Sequence, residues 1–278
     1  SVYFSTGDLG HTKTEEFRES LGDRYMNAGM SEQNILGMAA GLALSGMKVV
    51  VYSIVPFVTL RPFEQIKIDV CSQNVDVTII GVGGGFAYGS AGATHYSIEE
   101  IAALRALPNM KIICPANPME TRQLTEQALK KGGPTYIRIG RGKEANPEEE
   151  YSVELGKAVV LKEGNDISII SSGTIVSEAL KVSEMLEEDG ISAEVINMHT
   201  VKPLDAGIIK KIAGKRKANQ FFQELTYHSS SNLGSSRLTL VILALFKITP
   251  QNAPLPLPGI SESSSLLKSA FSSEKSAS

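Results

Sequence analysis

The stretch KVVVYSIV at residues 48–55 decides the fold, because five of its eight residues are β-branched and no polar face interrupts it. A short continuous apolar run of this kind is typical of a strand buried on both faces. Similar runs occur at DVTIIGVG (76–83), MKIICPA (110–116) and PTYIRIG (134–140). Segments with apolar residues at helical spacing lie between them, at residues 61–73, 97–108 and 117–133. This β-α-β-α order predicts an α/β fold with a largely parallel, doubly wound sheet.

The same rhythm restarts after a polar, charged stretch at residues 140–152, which contains proline and is the best candidate for a linker. Strands are predicted at 166–173 and 192–199, and helices at 174–190 and 202–215. The sequence therefore predicts two doubly wound α/β domains, at residues 1–145 and 153–270. The run LTLVILALF (238–246) is expected to form a core strand or helix, and the Ser-rich tail at 271–278 to be disordered.

The bulk composition excludes several classes of protein. A formal net charge of -3 over 278 residues provides no basic surface for nucleic acid. No apolar run approaches the roughly 18 residues that a membrane span needs. Two cysteines without metal spacing or a disulfide framework suit a reducing cytoplasm. The chain opens without Met inside an expected strand, so we expect further elements upstream.

A single acidic residue, Glu32, stands in RYMNAGMSEQN (24–34) just ahead of a small, apolar segment. Ser31 is a suitable N-cap for a helix through that segment, which would place Glu32 in its first turn. One interpretation is a solvated carboxylate that matches the helix dipole. The other is a carboxylate at the edge of a buried surface, placed there for chemistry. The local pattern leaves both open.

Glycine-rich sequence at residues 81–97, GVGGGFAYGSAGATHYS, follows a predicted strand and ends near His95. Consecutive glycines allow a backbone to approach a ligand closely. The loop lacks the G-x-G-x-x-G pattern of a dinucleotide site, and the chain has no P-loop, nucleophile elbow or HExxH motif. His95 and His11 are candidate functional residues in strand-to-helix loops, and Arg141 follows a strand where an open sheet places ligand groups. His199 and His228 are assigned structural or surface roles.

Read together, six segments resemble the C-terminal half of a transketolase, and more closely the small subunit of split transketolases, which depend on thiamine diphosphate. They follow in consistent order over residues 1 to about 215: GDLG (7–10), RYMNAGMSEQNILGMAAGLALSG (24–46), YSIVPFVTLRPFEQIKIDVCSQN (52–74), GATHYSIEEIAALRALPNMKIICPAN (92–117), GPTYIRIGRG (133–142) and TVKPLD (200–205). The resemblance implies a pyrimidine-binding domain followed by a transketolase C-terminal domain. It also implies transfer of a two-carbon ketol unit from a ketose donor to an aldose acceptor.

The resemblance implies a cofactor site built on Glu32, Phe57 and Arg61. Glu32 falls on the family's catalytic glutamate, whose carboxyl group hydrogen-bonds N1′ of the aminopyrimidine and so promotes loss of the thiazolium C2 proton. Phe57 matches an aromatic residue that stacks on the pyrimidine. The companion aromatic position is aliphatic here, at Ile54 or Val55.

For the substrate, the resemblance implies contacts from His11, His95 and Arg141. His95, in GATH, matches a substrate-facing histidine with a catalytic role, and Arg141 matches an arginine that binds a substrate phosphate. An aspartate that contacts substrate in full-length transketolases is replaced by Ala91, which predicts a different sugar specificity.

A GDG…N motif, which would hold Mg²⁺ and the cofactor's diphosphate, is absent from the sequence. Such a site requires carboxylate and amide oxygens in a set geometry. We therefore expect no metal site on this chain and an N-terminal transketolase subunit as partner. The partner would carry the pyrophosphate-binding domain and place the active site at the interface of a heterotetramer.

Three alternatives stay open from the sequence. The β subunit of a 2-oxo acid dehydrogenase E1 and a deoxyxylulose-phosphate synthase share the domains or the THY-like region. The third is a non-catalytic scaffold subunit, which the missing aspartate, the aliphatic stacking position and a divergent C-terminal segment favour.

Overall fold

Every predicted strand and helix that lies in the described part of the chain is present, although several are shorter than expected. The computed structural model describes residues 1–9, 14–142, 144–213 and 218–222, all within one unit, Ser1–Lys247. The described strands are β1 (Val2–Thr6), β2 (Tyr25–Asn27), β3 (Lys48–Ile54), β4 (Val77–Val82), β5 (Lys111–Ile113), β6 (Thr135–Ile139), β7 (Val159–Lys162), β8 (Ile167–Ser171), β9 (Ala193–Asn197), β10 (Thr200–Lys202) and β11 (Ala218–Phe222). The α-helices are α1 (Glu15–Leu21), α2 (Glu32–Leu44), α3 (Val55–Thr59), α4 (Phe63–Gln65), α5 (Glu100–Arg105), α6 (Pro118–Lys131), α7 (Val176–Glu188) and α8 (Ala206–Ala213).

Among the described residues, two sheets form, and both are mainly parallel. The first has seven strands in the order β10-β5-β6-β4-β3-β1-β2, and the second has four in the order β11-β8-β9-β7. The strand quoted at the outset, β3, is internal and pairs in parallel with β1 and β4. The predicted α/β class with two doubly wound sheets is confirmed.

Strand β10 crosses from the second half of the chain into the first sheet. It pairs antiparallel with β5, through Thr200 and Ile113. The sequence predicted only a helix from residue 202 onward, whereas α8 begins at Ala206. The short β2 and β7 were also not predicted. Strands of three or four residues have too little pattern to be recognised without their pairing partners.

The helix predicted at residues 61–73 is irregular. It runs as α4 over Phe63–Gln65 and continues as a π-helix over Ile66–Ser72. Its inward residues Ile66, Val70 and Cys71 are fully buried in the main core cluster. The helix expected at 97–108 is reduced to α5, because Ser97 pairs with Gly85 and keeps the start of that segment extended.

The C-terminal end of the predicted linker at residues 140–152 lies along α6. There the side-chain amide of Gln123 donates to the Tyr151 carbonyl at 3.0 Å, and the side-chain carbonyl of Gln123 accepts from the Val153 backbone amide at 3.0 Å. The Tyr151 hydroxyl and the Asn197 amide both donate to the buried Glu120 carboxylate. These contacts tie the two halves of the chain together. Burial and the hydrogen bond to Glu120 also raise the pKa of Tyr151 well above its usual range, so this phenol stays neutral at physiological pH.

Candidate active site

Glu32 is buried at the start of α2, with 2% of its surface exposed. The helix begins where the sequence predicted, but Ser31 makes no side-chain cap and instead donates to the Ala28 carbonyl at 2.7 Å. Gly7 lies next to the Glu32 carboxylate, since a Cβ added at Gly7 would be 3.4 Å from Glu32 Oε1. The interpretation of Glu32 as a solvated first-turn residue is therefore wrong.

Two donors satisfy the buried Glu32 carboxylate. Arg61 Nη1 lies 2.6 Å from Glu32 Oε2, and Ser53 Oγ, at the end of β3, lies 3.3 Å from Oε1. A buried carboxylate without such partners would be costly, and both contacts help to fix its orientation. Arg61 is 41% exposed, and its guanidinium therefore lies between the carboxylate and solvent.

Arg61 also connects this carboxylate to an aromatic face. The Arg61 guanidinium lies over the Phe57 ring, with Cζ 4.2 Å from the ring centroid, as in a cation–π contact. Phe57 is on α3, which follows β3 directly, and its ring meets the His95 ring edge to face at 5.0 Å. Of the aliphatic companions, Val55 is fully buried and Ile54 is half-buried.

His95 and Arg141 meet at Tyr88. The Tyr88 ring lies 6.1 Å from the His95 ring and 4.2 Å from Arg141 Cζ. Arg141 Nη1 also donates to the Ala87 carbonyl at 2.8 Å, and His95 Nδ1 pairs with Thr94 Oγ1 at 2.9 Å. Burial, with a smaller contribution from Tyr88, raises the pKa of neighbouring Tyr52, so that phenol stays neutral.

The structure therefore brings five of the predicted site residues into one row of successive contacts. We call this row the site row: Glu32, Arg61, Phe57, His95, Tyr88 and Arg141. The sixth predicted residue, His11, lies outside the described residues, as does His228. Ser53 and Tyr88 were not singled out from the sequence. An aromatic residue within the glycine loop is a signal that could have identified Tyr88, but nothing local marks Ser53.

His199, assigned a structural or surface role from the sequence, is a core residue. It is fully buried, and Nδ1 pairs with Thr200 Oγ1 at 3.0 Å. Burial lowers its pKa, against the opposing effect of nearby Glu120. Ala91, which replaces the expected aspartate, is exposed at the end of a short turn over Gly89–Ala91.

Within the described ranges, no group of three or more His, Cys, Asp or Glu side chains could hold a metal ion. In the same ranges, no helix is both long and apolar enough to cross a membrane. The groups that the site row offers to a ligand are thus side chains of the protein: a carboxylate, an aromatic face, an imidazole and a guanidinium.

Comparison with protein families gives two matches in order. The model of the transketolase pyrimidine-binding domain matches residues 3–145, and that of the transketolase C-terminal domain matches residues 156–230. The chain belongs to the transketolase family. Members of this family depend on thiamine diphosphate.

Relatives of this transketolase chain include proteins named as transketolase subunits. It is 37% identical to one subunit of an apulose-4-phosphate transketolase from Phocaeicola vulgatus, covering 76% of this chain and 69% of that protein. It is 32% identical to a 6-deoxy-6-sulfo-D-fructose transketolase subunit of Clostridium sp. (strain MSTE9), over 90% and 74% of the two chains. Several 1-deoxy-D-xylulose-5-phosphate synthases also match, and the chain spans only 33–34% of their length.

Among solved structures, the chain resembles one described as a split gene transketolase, inactive beta4 tetramer. The TM-score is 0.72 at 34% identity, covering 80% of this chain and 73% of that one. The relatives' names support assignment to split transketolases, of which this chain resembles the second subunit.

Proposed function

We propose that this chain is the small subunit of a thiamine-diphosphate-dependent transketolase, which transfers a two-carbon ketol unit from a ketose to an aldose. The observation that carries the proposal is the burial of Glu32, with Arg61 joining its carboxylate to the aromatic face of Phe57. A planar aminopyrimidine needs those two features: a carboxylate for a ring nitrogen and an apolar face for the ring. At Gly7, an added Cβ would lie 3.0 Å from the Gly29 carbonyl, so a side chain there would press on the backbone beside Glu32.

When bound, thiamine diphosphate supplies a nucleophilic carbon and an electron sink for cleavage of the C–C bond. Glu32 would hydrogen-bond N1′ of the pyrimidine, while Ser53 and Arg61 keep its carboxylate in place. His95 would hold or move a proton at a substrate oxygen. Arg141 would bind an anionic group of the sugar. One of its N–H groups donates to the Ala87 carbonyl, and a guanidinium has further N–H donors.

Mg²⁺ and the diphosphate need a binding site of their own, and the sequence lacks the GDG…N motif that the resemblance associates with that site. Hard cations are held by several oxygen ligands, and the described ranges contain no acidic cluster for one. We therefore propose that an N-terminal transketolase subunit carries the pyrophosphate site and that the two chains form a heterotetramer. The chain's two cysteines, of which Cys71 is a buried thiol, fit a cytoplasmic protein.

One face of α2 is suited to that partner. We define the α2 outer face by Gly37, Gly41 and Leu44, which are exposed and lie at helical spacing; Leu44 is 67% exposed, and Met30, two residues before the helix, is 85% exposed. Exposed apolar residues grouped on one face mark interaction sites more often than scattered ones do. Glu32 begins the same helix on its buried side, so a partner on the outer face would pack against the helix that positions the carboxylate.

Gly41 offers a sharp test of this face. A Cβ at Gly41 would meet nothing within 4 Å, so Gly41→Leu leaves the chain itself undisturbed and improves helix propensity by roughly 0.5–1 kcal/mol. We expect the isolated variant to melt no lower than wild type but to lose assembly with the partner in sedimentation experiments. Lys181→Leu, at an exposed position of α7, is the matched control.

Two results would overturn the assignment of the α2 outer face. One is normal assembly of the Gly41→Leu complex. The other is a pair of findings: wild-type chains alone form a tetramer, and Gly41→Leu dissociates that tetramer but still binds the partner subunit. The α2 outer face would then bind a second copy of this chain.

The activity itself is tested by reconstitution with the N-terminal subunit from the same organism, thiamine diphosphate and Mg²⁺. We expect turnover of a ketose donor with an aldose acceptor only when both chains are present. Turnover of pyruvate but of no ketose would favour a 2-oxo acid dehydrogenase or a deoxyxylulose-phosphate synthase, and the latter is also favoured by the synthases among the relatives. An assembled complex without any cofactor-dependent turnover would indicate a scaffold subunit.

A further inference from the structure

A buried ion pair lies beneath the loop that carries His95. Arg138, on β6, is 5% exposed, and Glu100, the first residue of α5, is fully buried; Arg138 Nε lies 2.9 Å from Glu100 Oε1. Two charges removed from water require good geometry and further hydrogen bonds. The mechanism proposed above uses neither residue.

Ser97 links this ion pair to the loop at residues 83–97, here called the glycine loop. Ser97 Oγ donates to Glu100 Oε2 at 2.9 Å, while Glu100 Oε1 faces Arg138 Nε. The backbone of Ser97 exchanges two hydrogen bonds with Gly85, of 2.6 and 3.1 Å, and these close the stem of the loop. The ion pair is therefore bonded to the residue at which the loop closes.

The loop backbone also rests directly on the Arg138 guanidinium. An added Cβ at Gly84 would lie 1.9 Å from Arg138 Nε, closer than any real contact. At Gly83, where φ is +76°, a Cβ would lie 2.1 Å from the Tyr88 ring. Glycine at these two positions allows the loop backbone to pack directly against the Arg138 guanidinium and the Tyr88 ring.

Two members of the site row, Tyr88 and His95, belong to this loop. The His95 ring contacts Phe57 at 5.0 Å, and Tyr88 stacks with Arg141 at 4.2 Å. A shift of the loop would therefore change the position of His95 relative to Phe57 and also remove the support under Arg141.

We propose that Glu100 and Arg138 are positioning residues, which fix the stem of the glycine loop and hence hold His95 against Phe57. This inference rests on the proposed function for its catalytic meaning, while its geometric content concerns this chain alone. An apolar pair of similar volume would fill the same space, but it could not bond to Ser97. Fixed placement of a reacting group matters because a displacement of about 1 Å can cost on the order of 100-fold in rate.

The first test uses the full chain alone and reads His95 directly. The chain has four histidines, so the C2–H resonance of His95 is assigned with His95→Asn. We expect Glu100→Gln to shift or broaden that resonance and to weaken its cross-peaks to the Phe57 ring. Glu120→Gln is the matched control, because Glu120 is equally buried but contacts Tyr151 and Asn197 rather than the loop.

The second test uses the reconstituted complex. We expect Glu100→Gln to lower kcat/KM by about 10- to 100-fold through both kcat and the acceptor KM, with the affinity for thiamine diphosphate unchanged. Arg138 Nη2 also donates to the Ser97 carbonyl at 3.5 Å. Arg138→Lys keeps the charge but loses the planar fork that reaches both Glu100 and Ser97, so its effect should be intermediate. Ser97→Ala removes only the Oγ link and keeps the backbone pairing, and it serves if Glu100→Gln fails to fold.

An unchanged His95 resonance in folded Glu100→Gln or Ser97→Ala would overturn the positioning role, whatever the enzyme's activity. An equal loss of activity in Glu120→Gln would also overturn it, because the effect would then follow from lost stability. If wild type shows no transketolase activity, only the proposed function fails, since the resonance test does not depend on it.

Discussion

Replacing Glu32 by Gln removes the ionisable group of the proposed site and keeps its shape. The amide can still accept one hydrogen bond, from either Arg61 or Ser53, so the variant loses one charge-assisted contact. Such a contact contributes about 1.5–3 kcal/mol. Two effects oppose the loss: a buried charge no longer has to be desolvated, and Arg61, at 41% exposure, can turn to water.

The net destabilisation from Glu32→Gln should therefore stay below about 2 kcal/mol, a fall in Tm of no more than roughly 4–8 °C. The loss in kcat should be much larger, because a positioned acid–base group typically accelerates the reaction by about 10²- to 10⁴-fold. We expect the variant to fold, to assemble with the partner and to lose nearly all turnover of a ketose donor.

Scanning calorimetry of the chain and steady-state kinetics of the complex measure the two effects separately. Asp76→Asn is a suitable control, because it also replaces a carboxylate by an amide, in the partly exposed pair with Lys48, at 2.7 Å. Wild-type turnover in Glu32→Gln would refute the assignment of Glu32. Failure of the variant to fold would refute the stability argument.

Three further predictions concern single side chains. Arg61→Ala should raise the Kd of the complex for thiamine diphosphate about 10-fold, the value of one charged contact; tighter binding, measured by calorimetric titration, would instead mean that the guanidinium occupies the place of the pyrimidine. Gly84→Ala should lower stability by about 1–3 kcal/mol in urea unfolding, because its Cβ overlaps Arg138, and an unchanged midpoint would contradict that overlap. Cys71, whose pKa burial raises to about 11, should react with a thiol reagent at pH 8 only after unfolding; rapid labelling of the native chain would show that the thiol is accessible.

The longer elements could be predicted from the sequence because each carries its own signal. The β-branched run of β3 and the amphipathic pattern of α7 reflect burial that is repeated along the element itself. The order of strands and helices then predicts a parallel, doubly wound sheet, since parallel strands need crossover connections. The motifs around Glu32, Phe57, His95 and Arg141 likewise lie at fixed places in the sequence, which is why their resemblance to a transketolase could be recognised.

Other features are decided only when distant segments meet. Strand β10 exists because Thr200 reaches Ile113, 87 positions earlier in the chain, and three residues alone carry no such information. Glu32 looks like an ordinary first-turn residue until Gly7 covers it and Arg61 and Ser53 bind its carboxylate. The sequence by itself determined the fold class and five of the six side chains of the site row. Burial and long-range pairing, which depend on the whole tertiary structure, added Tyr88 and decided that the six form one row.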